Sequence, residues 1–193
     1  MFAGVTFAPD VKICFHSQPT EGRQPQEILS DFFSKPYCPI DLIGDDVSSR
    51  FSFDVIKPGQ SDSFKAGEVT VESVAVKHPG GSLSFRLTYK GRSFCYLSDY
   101  EYGGTLDPAL RDCLYKSDLT VFDAYFSNDN FIPGWGHSTW EEGVEIWQEA
   151  KIKKMAMYHH HIARTDDELD ALDATIRAIS PSLFVAKDGM EVI

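Results

Sequence analysis

Short apolar segments alternate with helical patterns between residues 119 and 186, and this alternation restricts the fold more than any other feature of the sequence. The apolar runs at 119–122, 154–158 and 183–186 have the length of strands. The segments between them place apolar residues at the spacing of amphipathic helices. Strands that alternate with helices in this way predict an α/β layered domain.

Both of these helices begin with the pattern of a capping box, a Ser or Thr followed three residues later by Glu. In a capping box the hydroxyl accepts the third helical amide, and the Glu side chain reaches back to the capping residue. Ser138 with Glu141 predicts the start of the first helix. Thr165 with Glu168 predicts the start of the second, which we expect to run to about Ile179.

A hairpin is predicted earlier in the chain. Leu83, Phe85 and Leu87 alternate with polar residues, and Lys90-Gly91 provides a turn into a second strand at 93–97. A hairpin beside parallel units makes the sheet mixed. The remaining predictions are strands at 11–15, 51–56 and 69–77, helices at 25–33 and 108–114, and a surface loop at 35–50.

Composition excludes several classes of protein. The chain has 193 residues and a formal net charge of −11, which favours one domain over 1–193 and disfavours nucleic acid or an anionic membrane as a partner. No apolar stretch is long enough to span a bilayer, and the first residues lack the order of a signal peptide. The four cysteines share no short spacing, so we expect reduced thiols in a cytoplasmic protein.

Four apolar segments each end in a group that binds metals or moves protons. The residues are His78, Asp99, Asp123 and His159. Carboxyl ends of strands face the ligand crevice in α/β sheets, and imidazoles with carboxylates suit zinc, manganese or iron. Each residue alone is explained as well by a turn or a chain-end cap, and the long intervals between them form no local motif.

His137 is the second kind of candidate, because it lies just before a predicted helix in Gly134-Trp135-Gly136-His137. A helix N-terminus disfavours the charged imidazole, and Asp123 could orient it, as carboxylates orient catalytic imidazoles. The alternative is a loop histidine beside a capping serine. His160 and His161 follow His159 directly, and we interpret them as supporting or surface residues.

The segment from HPGGSLSFRLTYKGRSFCYLSD through DLTVFDAYF to GWGHSTWEEGVEIWQEAKIKKMAMYHH resembles the metallo-β-lactamase-fold hydrolases, and within them the ribonuclease Z-like and phosphodiesterase-like branch. The resemblance implies an αββα sandwich with a dinuclear metal site. It implies that His78, Asp99 and His159 are metal ligands, with Asp99 bridging the metals. It also implies that His137 protonates the leaving group and that Asp123 pairs with it.

The main metal signature of that family, HxHxDH, is absent from the sequence. We therefore expect the C-terminal half of the sandwich, a mixed sheet with helices on its outer face and an incomplete site. The divalent metal, zinc first and manganese or iron next, is expected to bind weakly or not at all. An uncovered sheet face would favour a homodimer or a partner chain.

Three functions are open. The first is a metal-dependent hydrolase of a small phosphodiester or related ester, the second a non-catalytic binding or assembly module that has lost the first metal, and the third a nuclease. The acidic charge of the chain makes the nuclease the weakest of the three.

Overall fold

A computed structural model describes residues 13–17, 20, 22–36, 51–55 and 61–192. The chain divides into two compact units, one up to Lys57 and the other from Pro58 onward. The described residues of the smaller unit form a parallel strand pair and one helix: β1 (Ile13–Ser17), β2 (Phe51–Val55) and α1 (Pro25–Phe32).

The larger unit is built on one seven-stranded sheet. Its strands are β3 (Ser61–Ala66), β4 (Val69–Val76), β5 (Ser82–Tyr89), β6 (Arg92–Leu97), β7 (Leu119–Asp123), β8 (Met155–Tyr158) and β9 (Leu183–Val185). Its helices are α2 (Pro108–Leu114), α3 (Trp140–Glu149) and α4 (Asp166–Ile179), and a short 3-10 turn covers Asn128–Asn130.

Spatial order in the sheet follows chain order from β3 to β9. Neighbours from β3 to β6 are antiparallel, and those from β6 to β9 are parallel. The sheet is therefore mixed, as the predicted hairpin required. Each parallel crossover carries one helix, which is the connection that parallel neighbours need.

The hydrophobic core lies between one face of the sheet and the three helices of this unit. Alternate residues of the central strands point into it, among them Leu97 and Phe122, and both are fully buried. Leu110 of α2, Ile146 of α3 and Ile176 of α4 cover them from the helical side. The predicted α/β architecture with helices on one outer face is confirmed.

The opposite face of the sheet also carries large apolar side chains. Tyr96 and Tyr158 belong to it, with 37% and 42% of their surface exposed and ring centroids 6.3 Å apart. The homodimer or partner chain expected from such a face stays a prediction, as does the single domain over 1–193. Within the described ranges, every helix is too short or too polar to cross a bilayer.

Helix α3 starts one residue later than predicted. Its cap is Thr139, whose hydroxyl accepts the amide of Glu142 while the Glu142 carboxylate accepts the amide of Thr139. The capping box of Ser138 with Glu141 was therefore wrong. The Ser138 hydroxyl instead donates to the carbonyl of Tyr100.

Two other differences concern the strands and the loop near the start of the chain. Strand β3 was not predicted, because its sequence SDSFKA is mostly polar and lacks the apolar alternation of a half-buried strand. The predicted surface loop at 35–50 lies outside the described residues from position 37 onward, and so do residues 11, 12 and 56 of the predicted strands.

Candidate functional site

The predicted site residues follow strands that end at the same edge of the sheet. Strands β6, β7 and β8 are parallel, so Asp99, Asp123 and His159 lie at their shared carboxyl edge. Strand β4 runs in the same direction as β6 because β5, which lies between them, is antiparallel to both. The end of β4 therefore brings His78 to this edge as well.

Four side chains converge here closely enough to share one ion. Each of Asp99, Asp123, His137 and His159 offers one donor atom, and these atoms lie within 4.8 Å of one another. The His159 Nδ1 is 3.4 Å from Asp123 Oδ2 and 3.7 Å from Asp99 Oδ1. The structure thus brings together four of the five predicted residues, from three strand ends and one loop.

Asp123 is the buried centre of this cluster. Its carboxylate is fully shielded from solvent, and its Oδ2 lies 2.8 Å from His137 Nδ1. The amides of Tyr100 and Tyr125 donate to its two oxygens at 3.3 and 3.2 Å. Because these donors compensate the buried charge, Asp123 is suited to orienting an imidazole.

His159 is held by the two carboxylates and by Ser98, whose hydroxyl lies 3.3 Å from its Nδ1. The hydrogen bond to Asp123 raises the pKa of His159 above its ordinary value, and burial opposes this rise. Both His159 and Asp99 have left-handed backbones, with φ of 55° and 52°. Such conformations are strained for residues other than glycine and concentrate at functional sites.

His78 lies beside the four-residue cluster and outside it. Its ring packs edge-on against that of His137, with centroids 5.7 Å apart. The amide of Gly80 donates to its Nδ1 at 3.4 Å. The three ligands implied by the family resemblance, His78, Asp99 and His159, therefore do not form one cluster, although all three are at the same edge.

Tyr125 was not singled out from the sequence, yet its ring contacts three histidines. It stacks on His137 with centroids 4.5 Å apart and an interplanar angle of 20°. It meets His159 and His161 edge-on at 5.8 and 4.9 Å. Its place in the sequence, two residues beyond Asp123, was the only available signal.

The two histidines that follow His159 have different surroundings. His161 packs on Tyr125 and accepts the amide of Ala163. Burial lowers the pKa of His160, whose ring nitrogens are both shielded from solvent. Neither histidine belongs to the four-residue cluster, and their interpretation as supporting residues stays a prediction.

The donor set fits a divalent metal. Ligand atoms around a tetrahedral zinc lie about 3.4 Å apart when each is about 2.1 Å from the ion. The separations that join Asp99 and Asp123 to the two imidazoles run from 2.8 to 4.0 Å. Two carboxylates with two imidazoles also match the preferences of zinc, manganese and iron. A divalent metal is thus compatible with these residues.

Comparison with known protein sequences finds two matches. The family model described as "Beta-lactamase superfamily domain" matches residues 37–161. Ribonuclease Z from Treponema denticola is 29% identical over 105 residues, which are 53% of this chain and 33% of that protein. The chain thus spans about a third of this curated relative.

The solved structures that share the fold include the following two. The metallo-beta-lactamase fold protein YhfI from Bacillus subtilis superposes with a TM-score of 0.63 and 15% identity, covering 98% of this chain and 68% of that one. A diphosphatase from the PhnP family superposes with a TM-score of 0.63 and 16% identity, and the match covers 97% of this chain and 60% of that one. With a family model that matches well over half of its residues, this chain belongs to the beta-lactamase superfamily domain family and has the metallo-β-lactamase fold.

Proposed function

We propose that this protein is a metal-dependent hydrolase that acts on a phosphodiester or a related ester bond. One observation carries the proposal: the donor atoms of Asp99, Asp123, His137 and His159 converge within 4.8 Å at the carboxyl edge of the sheet. The names of two relatives, a ribonuclease and a diphosphatase, denote enzymes that act at phosphorus, and they support the choice of bond.

The proposed roles follow from the surroundings of each residue. Asp99 and His159, two members of the four-residue cluster, would hold the ion, and His78 lies at the same edge outside that cluster. When bound, the metal would polarise the ester oxygen and activate a water molecule. Asp99 is 48% exposed and His159 34%, so both remain accessible from solvent. Zinc is the metal that we propose first, with manganese or iron as the next candidates.

His137 is proposed as the proton donor to the leaving group. Its Nδ1 faces Asp123, which leaves the other ring nitrogen available to a substrate. Tyr125 stacks on the same ring and limits its rotation. The carboxylate therefore orients the imidazole, and the stacked tyrosine holds the plane of the ring.

A small substrate is proposed in preference to a nucleic acid. The formal net charge of −11 repels a polyanion, whereas one phosphodiester group needs only the local charge of a bound metal.

The test is a metal titration joined to a turnover assay. The purified protein is freed of metal, then titrated with zinc or manganese while its melting temperature and its hydrolysis of bis(p-nitrophenyl) phosphate are followed. We expect both to rise with metal and both responses to vanish in Asp99→Ala. Asp129→Ala, in the 3-10 turn, is the control and should respond like the wild type. Unchanged melting temperature and no turnover with either metal would contradict the proposal.

A non-catalytic binding module is the second candidate, and the absence of HxHxDH from the sequence favours it. It predicts a metal-dependent rise in melting temperature without hydrolysis of any tested ester. Turnover that is abolished by Asp99→Ala would exclude it.

A further inference from the structure

Glu101 is a buried carboxylate next to the candidate site that the proposed mechanism does not use. Only 5% of its surface is exposed. Its Oε1 accepts from Lys77 Nζ at 2.6 Å, and its Oε2 accepts the amides of Gly134 and Gly136 at 2.7 and 3.0 Å. Burial raises the pKa of Glu101, but Lys77 and the two amides outweigh burial and hold the pKa below its usual range. The side chain is therefore an ionised group in an almost closed environment.

The contacts of Glu101 join two segments that carry candidate site residues. Lys77 directly precedes His78, and the amide of Glu101 also donates to the Lys77 carbonyl at 2.9 Å. Gly134 and Gly136 belong to the loop that ends at His137. The same carboxylate thus connects the end of β4 with this loop.

The two glycines allow both amides to reach one oxygen. Gly134 and Gly136 have φ of 82° and 86°, which side chains other than glycine rarely adopt. Amides that converge in this way form an anion-binding concavity, here occupied by the protein's own carboxylate. Gly136 also packs so closely on the β4 end that an added Cβ would lie 2.5 Å from Pro79 Cδ.

We propose that Glu101 is a positioning residue, which fixes the loop of His137 against the end of β4 and so sets the separation of the His78 and His137 rings. Their centroids are 5.7 Å apart, in an edge-on contact that depends on the loop remaining in place. The catalytic part of this inference rests on the proposed function. The structural part, that Glu101 orders the loop, does not.

Substitution by Leu and by Gln separates the contributions of the side chain. Glu101→Leu replaces the carboxylate with a somewhat larger apolar side chain and removes all three side-chain hydrogen bonds. Glu101→Gln keeps one oxygen that can accept both glycine amides, but it places an amide group against the Lys77 ammonium. Asp118→Asn is the matched control, because Asp118 also accepts from a lysine and a backbone amide but lies at the opposite edge of the sheet.

The first measurement is hydrogen exchange of the Gly134 and Gly136 amides by NMR, which needs no activity. We expect exchange about tenfold faster in Glu101→Leu, with wild-type protection in Asp118→Asn. In Glu101→Gln both amide protons should remain protected and move upfield, because a charge-assisted hydrogen bond becomes a neutral one. This second variant decides the question if Glu101→Leu does not fold. Wild-type protection of these amides in a folded Glu101→Leu, or unmoved amide shifts in Glu101→Gln, would overturn the inference.

The second measurement compares two substrates of the metal-loaded protein. If Glu101 positions a proton donor, Glu101→Leu should slow the hydrolysis of an alkyl phosphodiester about tenfold more than that of a p-nitrophenyl diester. The alkyl leaving group needs protonation, whereas p-nitrophenolate does not. Glu101→Gln should restore part of the difference. Equal slowing of both substrates would reduce Glu101 to a stability role. If the wild type itself has no turnover, the proposed function fails while hydrogen exchange still decides whether Glu101 orders the loop.

Discussion

The imidazole of His137 and the carboxylate of Asp123 form a 2.8 Å contact although they lie 14 residues apart and on different elements. Asp123 ends β7, and His137 lies in the loop before α3. The carboxylate is fully buried and the imidazole is 15% exposed, so the pair has one member fixed inside the protein and one facing outward.

This pair predicts a dependence on the leaving group. His137→Ala should lower turnover of an alkyl phosphodiester by about 10²–10⁴-fold, because the departing alkoxide would lack its proton donor. The loss should be much smaller with a p-nitrophenyl diester, and steady-state rates on both substrates measure it. His161→Ala is the control, since this histidine also contacts Tyr125 but lies outside the cluster. Equal losses on the two substrates would contradict the role of His137.

The left-handed backbone of Asp99 predicts an unusual order of stabilities. Asp99→Gly should be more stable than Asp99→Ala by about 1 kcal/mol, because glycine adopts a φ of 52° without strain and alanine does not. Urea denaturation without metal measures the difference. Both variants should lose the metal-induced rise in melting temperature. If Asp99→Ala is as stable as Asp99→Gly, the backbone at this position is not strained.

The ionised side chain of Asp118 is expected to stabilise the folded protein at neutral pH but not in acid. Hydrogen bonds from Lys153 and from the amide of Ser93 lower the pKa of Asp118 to about 2, from about 3.9 in an unfolded chain. Since the folded pKa is the lower one, the stabilisation is fully present above about pH 4 and is lost as the pH falls toward 2. Asp118→Asn should be less stable than the wild type by about 1 kcal/mol at pH 7, and this gap should narrow toward pH 3.

Urea denaturation of the wild type and of Asp118→Asn at pH 3, 4, 5 and 7 measures this difference in the free energy of unfolding. A gap that stays constant over the series would mean that the charge of Asp118 does not stabilise the fold.

The close approach of Gly136 to the end of β4 predicts different effects of two similar substitutions. Gly134→Ala and Gly136→Ala both place alanine at a φ above 80°. Only at Gly136 would the new Cβ also collide with His78 and Pro79, whereas at Gly134 it would meet no atom within 4 Å. Gly136→Ala should therefore be less stable than Gly134→Ala by about 1–3 kcal/mol. Thermal and urea unfolding of the pair measure this, and equal stabilities would show that the loop moves freely away from β4.

The sequence predicted the site best where it depends on strand direction. Asp99, Asp123 and His159 follow apolar segments, and strands of equal direction bring their carboxyl ends to one edge whatever the loops between them do. The structure places these three residues together. His78 reaches the same edge but not the cluster, since its final position depends on the packing of Pro79 and Gly136 rather than on β4 alone.

Features that depend on contacts between distant segments were not predictable. Ser138 and Thr139 each precede a glutamate by three residues, so local pattern does not choose between them. The choice is made by Tyr100 and Tyr102, whose backbone groups bind the Ser138 hydroxyl across more than 30 residues. The positioning role proposed for Glu101 likewise depends on hydrogen bonds from amides that are 33 and 35 positions away.

The core of the larger unit lies between the helices and one face of the sheet, whereas the candidate site residues lie at the strand ends and in the connections that follow them. Apart from Asp123, the cluster draws on residues that contribute little to that core. Connections of this kind can diverge, lengthen or exchange polar groups without weakening the scaffold. Such an arrangement separates folding from reactivity, so that evolution can reassign the chemistry of this edge while the layered framework persists.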